Sequence, residues 1–142
     1  MVKTYKMKTI IVEGCTDEII ISTLFEDILI GKVEIRVAMG FSNAISIAKT
    51  LIDFHQKVLL VMDTDSDRSI YDNRTIFNRL NTGRFPSRYG KVIWMDPCVD
   101  SILSQIIPDI KGKGRKINDV IKNNKEKILQ IKEFQEIRKF IG

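Results

Sequence analysis

Residues 57–67 read Lys-Val-Leu-Leu-Val-Met-Asp-Thr-Asp-Ser-Asp. Val58 to Met62 is an unbroken apolar run, rich in branched side chains, that passes at once into polar residues. This is the pattern of a strand covered on both faces, as in a parallel sheet lying between helices. Three acids at alternate positions, Asp63, Asp65 and Asp67, close the run. Carboxylates crowded at the end of a buried strand repel one another and are poorly solvated, and a divalent cation relieves both costs. Capping of the following helix is the alternative; it commonly accounts for one such Asp and rarely for three.

Working outward, Lys8 to Val12 is a short β-branched run that predicts a first strand. Glu13-Gly14 follows it directly, so a carboxylate stands at the strand end and a glycine permits a tight turn. Thr16 suits an N-cap, and Asp17 and Glu18 suit the positive end of a helix running to about Leu29, ended by Gly31. Val33 to Val37 alternates polar and apolar residues and is expected near the sheet edge. After Gly40, with Ser42 as the cap, Ala44 to Phe54 predicts a second helix. Ser69 to Leu80 is a third, weaker helical pattern, and 81–90 is a basic loop carrying Arg84 and Arg88. Lys91 to Met95 predicts the fourth strand, closed by Asp96-Pro97, with a short helix over Val99 to Ile107.

Strand and helix alternating four times predict an α/β domain over 1–110: a small, mainly parallel four-stranded sheet flanked by helices. In such sheets ligands bind at the carboxyl ends of the strands. Glu13, Asp63, Asp65, Asp67 and Asp96 all fall at that edge. Beyond it, 111–142 opens on the basic, glycine-interrupted stretch Lys111-Gly-Lys-Gly-Arg-Lys. Ile117, Val120, Ile121, Ile128, Ile131, Phe134, Ile137 and Ile141 then recur at helical spacing. One or two amphipathic helices are expected there, packed on the body or on a partner.

The chain has 142 residues and a net charge of +5, unevenly distributed. From Lys111 onward ten Lys or Arg face four Asp or Glu, whereas the preceding residues balance thirteen against fourteen. A near-neutral body with a basic tail suits a polyanionic partner, although a solvated lysine-rich helix face produces the same count. No apolar run approaches the ~20 residues that span a bilayer, and no signal-type apolar core follows the N-terminus. Cys15 and Cys98 are too few for a disulfide framework and lack zinc-ligand spacing; both are expected to be buried thiols. These features point to a reduced, cytoplasmic protein without a membrane role.

An all-oxygen ligand set suits Mg²⁺ or Mn²⁺ rather than zinc. Such ions act chiefly on phosphates, neutralising oxygens and stabilising leaving groups, while a carboxylate outside the metal shell moves a proton. Lys111-Gly-Lys-Gly-Arg-Lys is not a phosphate-binding P-loop, since it does not follow a strand at the required spacing and lacks the Gly-Lys-Ser/Thr ending. Gly40-Phe-Ser-Asn serves either as a helix cap or as an anion-binding helix start. His55, the single histidine, falls at a helix end and is expected at the surface. Arg68, Arg84, Arg88, Lys113, Arg115 and Lys116 are the candidate contacts to a nucleic-acid backbone; taken singly, each also fits a solvated surface charge.

The order Ile-Ile-Val-Glu13-Gly14, some fifty residues, then Val-Met-Asp63-Thr-Asp65-Ser-Asp67 resembles the TOPRIM domain over roughly Lys8 to Ile107. That family is shared by topoisomerases, bacterial primases, recombination-repair proteins and the overcoming-lysogenization-defect nucleases. The resemblance implies a magnesium-dependent nucleic-acid active site, with Glu13 as the acid/base, Asp63 and Asp65 as metal ligands and Asp67 in support. Glu13-Gly-Cys-Thr-Asp17 is similar to the nuclease type, in which an acid four residues after the glutamate joins the metal site. Asp96-Pro-Cys-Val-Asp100 lacks the glutamate that this type carries after the fourth strand, which leaves open the parts of Asp96 and Asp100.

The leading expectation is therefore a metal-dependent nuclease or related phosphotransferase acting on DNA or RNA. The alternatives are a non-catalytic module that binds nucleic acid or a partner, as a homodimer or within a larger nucleic-acid-processing assembly, and a primase-like nucleotidyltransferase.

Overall fold

The structure, a computed structural model, describes residues 8–29, 31, 33–64, 72–81 and 83–142, with the side chains of Lys111 and Arg115 left aside. Four strands form one sheet: β1 (Lys8–Val12), β2 (Val33–Val37), β3 (Val58–Asp63) and β4 (Gly90–Met95). Their order is β2-β1-β3-β4, and every neighbouring pair is parallel. The register aligns Val12 with Val37 and Val61, and Asp63 with Met95, so the strands end almost level. The alternating Val33–Val37 run is an edge strand, while the two apolar runs lie in the middle of the sheet.

Side chains leave a strand on alternate faces, and the sheet divides its apolar residues accordingly. Ile10, Val12, Leu59 and Val61 point into one core, and Ile11, Val58, Leu60 and Met62 into the other. The second core is closed by α3 (Phe41–Asp53) and α4 (Asn73–Leu80), which supply Ala44, Ile45, Ala48, Ile52 and Phe77. The first is larger. It takes Ile20, Ile21 and Leu24 from α1 (Cys15–Leu24) and Val99 and Leu103 from α5 (Val99–Leu103), and Ile28 of α2 (Glu26–Leu29) packs against it.

The same core receives the C-terminal helices. A 3₁₀ segment (Ile110–Lys116) leads into α6 (Ile117–Asn123), α7 (Lys125–Ile128) and α8 (Lys132–Ile141). Ile117, Ile121, Ile128, Phe134, Ile137, Phe140 and Ile141 are all buried there. Each fully buried side chain of this size contributes about 1.5–3 kcal/mol, so the apolar stripe of the tail is an integral part of the core. Lys8 at the start of β1 donates to the Phe140 and Ile141 carbonyls at the end of α8, at 2.8 and 3.4 Å. A cation there offsets the negative end of that helix.

Several local expectations are corrected. The helix after β1 breaks at Phe25, whose buried ring belongs to the core while its backbone leaves the helical region. The helix starts are Gly14 and Gly40 rather than Thr16 and Ser42, because each turn from strand to helix is shorter than the spacing of the hydroxyl residues suggests. Gly40 takes φ 141°, a conformation that L side chains rarely adopt. The stretch 110–116 is a 3₁₀ segment with a kink at Gly114, not an open linker. Cys15 is exposed in the first turn of α1, and Cys98 is half-buried just before α5; both are free thiols. The start of the helix expected at Ser69 lies outside the described residues, which begin that helix at Asn73.

Candidate functional site

Parallel strands ending level carry Glu13, Asp63 and Asp96 to one edge of the sheet. β1 and β3 are neighbours, so Glu13 and Asp63 stand side by side, and the Asp63 N–H donates to Glu13 Oε2 at 3.1 Å. Asp17 occupies the third position of α1, where the nearby Gly14 N–H partly opposes the rise in its pKa. The Val99 N–H, at the start of α5, partly opposes the rise in the Asp63 pKa.

Burial and like charge act together on these acids. Loss of water chiefly, then the charges of Asp17, Glu13 and Asp100, push the Asp63 carboxyl up to about 7. Asp17 is pushed up to about 6, mainly by loss of water and then by Asp100. Glu13 is also raised, by burial first and Asp17 next, against the opposing hydrogen bond from the Asp63 backbone. The edge holds a carboxyl pair flanked by two further acids, with every one of these charges of the same sign.

Its supports were not legible in the sequence. Buried Asn73, at the start of α4, donates its amide to the Asp63 carbonyl at 2.9 Å, and its own N–H bonds to the Thr64 carbonyl. Buried Thr64 donates to Asp96 Oδ1 at 2.8 Å. Asp96 thus fastens the turn after β3 to the one after β4, while Asp100 is the acid from that side whose charge reaches Asp63 and Asp17. Neither Asn73 nor Thr64 stands out by residue type, because their roles depend on contacts made after folding.

The expected ligands Asp65 and Asp67, and the candidate backbone contact Arg68, lie outside the described residues. Among the described residues no group of three His, Cys, Asp or Glu is arranged to hold a metal ion. The chemistry of Glu13, Asp17 and Asp63, all oxygen donors and all carrying raised pKa values, nonetheless fits a hard divalent cation.

The basic candidates separate. Lys113 and Lys116, with the backbone of Arg115, belong to the 3₁₀ segment, which begins beside Asp100: Asp109 and Ile110 share a shallow pocket with Asp100, Ser101 and Ser104. Lys113 is half-buried and Lys116 exposed. Arg84 and Arg88 instead precede β4 and so stand at the amino edge, the opposite end of the sheet. Strands of five or six residues put about 16–20 Å between the two edges. Arg84 is held there by an exposed ion pair with Asp53 at 3.1 Å, which keeps the Asp53 carboxyl below its usual range. His55 is exposed just past α3, with its ring against Tyr89. No helix among the described residues is long and apolar enough to cross a membrane. Compared with protein-family models, curated proteins and solved structures, the chain matches none.

Proposed function

We propose that this chain is a TOPRIM-like, divalent-metal-dependent phosphodiesterase acting on nucleic acid, and that the carboxyl edge of the sheet is its active site. The observation that carries this reading is the Glu13–Asp63 pair, drawn from neighbouring strand ends, tied by the bond from the Asp63 N–H to Glu13 and set among further acids. Carboxylates held in this way gain from a shared cation far more than they would as isolated surface groups.

Asp63 and Asp17, with Asp65 and Asp67, would hold Mg²⁺ or Mn²⁺, which when bound neutralises phosphate oxygens and stabilises the departing one. Glu13 is the proton-transfer group. Its Oε2 is engaged by the Asp63 N–H, which leaves Oε1 to accept a proton from the attacking water. A carboxylate whose pKa is raised by burial is a better base than one in free water. Lys113, Arg115 and Lys116, in the segment that begins beside Asp100, would run along the phosphate backbone.

The test is cleavage of single- and double-stranded DNA and RNA with Mg²⁺, Mn²⁺ or chelator, comparing wild type with Glu13→Gln and Asp63→Asn/Asp65→Asn. Cleavage that needs metal, falls about 10²–10⁴-fold in Glu13→Gln and keeps its binding supports the assignment. Binding without cleavage by the wild type overturns the catalytic reading in favour of a module, and metal-dependent nucleotide incorporation in its place identifies a nucleotidyltransferase.

A further inference from the structure

At the opposite edge of the sheet, cations converge. Lys8 opens β1, Lys57 precedes β3, Arg88 and Lys91 flank the start of β4, and Lys139 lies on α8; together with Tyr89 they line one pocket of about 180 Å³. The lining contains no Asp or Glu side chain among the described residues. Lys139 makes an exposed pair with Glu136 at 3.6 Å, and such pairs hold little.

The pocket is preformed. Asn81 clamps the loop before β4: its amide donates to the Phe85 carbonyl, and its Oδ1 accepts the N–H groups of Arg84 and Phe85. Ser87 and Gly90 close the tip, with the Ser87 N–H donating to the Gly90 carbonyl and the Gly90 N–H to Ser87 Oγ. The Tyr89 carbonyl accepts from the Val58 N–H at 2.7 Å, which brings Arg88 and Tyr89 against Lys57. The Arg88 guanidinium lies over the Tyr89 ring, and Lys8 is fixed by the α8 carbonyls and the Phe140 ring. Like charges collected from four chain segments on a rigid concave surface repel one another, and a bound anion reverses that repulsion.

We infer that this amino-edge pocket binds a phosphoryl group, using Lys57, Arg88 and Lys91 as its charged donors. The group comes either from a free phosphate compound or from a nucleic-acid backbone. The inference stands independently of catalysis at the carboxyl edge.

It is tested on the intact chain in chelator, at fixed ionic strength, by following backbone amide NMR shifts with inorganic phosphate and with a short oligothymidylate. Saturable shifts at Lys57, Tyr89 and Lys91, weakened tenfold or more in Lys57→Gln/Lys91→Gln and unchanged in the exposed control Lys122→Gln/Lys127→Gln, support the site. Displacement of phosphate by the oligonucleotide assigns the pocket to the backbone, and saturation by phosphate alone assigns it to a free compound. Shifts that do not saturate, or that weaken equally in both double variants, overturn it. Chelator removes metal-dependent cleavage from the readout, so the failure of either reading is seen separately.

Discussion

The two edges of the sheet carry opposite charge by opposite constructions. The carboxyl edge uses short side chains held close to the backbone: Glu13 lies against the Asp63 N–H, with Asp17 and Asp100 near enough for their charges to act on Asp63. Glu13, Asp17 and Asp63 lie part-buried and close together, so loss of water first and like charge next raise their pKa values. The amino edge uses long lysine and arginine stems, mostly exposed, whose charged ends keep their water and are assembled by a clamped loop. A residue's charge sets the sign of a site, while the length of its tether decides how much electrostatic stress the fold retains.

The largest effect expected from separating the two edges is that of Gly90→Ala. A Cβ at Gly90 would fall 2.5 Å from the Arg84 carbonyl oxygen and 2.8 Å from Ile52 Cδ1. Ile52 can turn aside, but a backbone carbonyl in a clamped loop cannot, so a loss of about 1–3 kcal/mol in urea unfolding is expected. Binding of phosphate at the amino edge weakens with it, and the chemistry of the carboxyl edge does not. Equal damage at both edges would show that the loop is not an independent device.

The next effect tests stored repulsion. A carboxyl whose folded pKa lies above its unfolded one favours folding while it is protonated, and that contribution is lost as pH rises. For Asp63 the loss runs from about its ordinary value of 3.8 through about 7, and for Asp17 through about 6. Asp63→Asn removes the charge and keeps the size and an amide oxygen at that position. In chelator the variant is expected to exceed wild type in stability at pH 8 by about 1–2 kcal/mol after allowance for solvent screening, with the gap narrowing as pH falls from about 7 and closed near the ordinary Asp63 value of 3.8. Equal urea midpoints at pH 8 would show that the acids are relaxed.

The smallest concerns Arg84, whose ion pair with Asp53 is exposed. Arg84→Gln is expected to change stability by less than about 0.5 kcal/mol and to leave metal-dependent cleavage unaltered, since Arg84 lies at the amino edge. A marked loss of cleavage would place nucleic acid across both edges.

The sheet was legible because its strands are short apolar runs ending in polar turns, and β3 and β4 differ from expectation by one residue each. Periodicity also marked the buried face of the tail, but an apolar stripe says that something covers it, not what. The break at Phe25 was hidden because apolar spacing continues through it. At the site, placement alone brought Glu13 beside Asp63. The Asn73 and Thr64 supports were invisible, since their partners are backbone atoms and a distant acid. Lys57 and Lys91 looked like ordinary strand flanks, and only the strand order β2-β1-β3-β4 makes them neighbours.

The bond from Lys8 to the carbonyls of Phe140 and Ile141 joins residues 132 and 133 positions apart. During translation, β1 to β4 leave the ribosome while α8 is still unmade. At about 5–20 residues per second, the face bearing Ile10, Val12, Leu59 and Val61 waits roughly 2–9 s between the end of β4 and that of α8. The nascent sheet therefore passes through an interval with that side only partly covered, by α1 and α5, and this is when a chaperone or a neighbouring chain on the same messenger has its opportunity to bind.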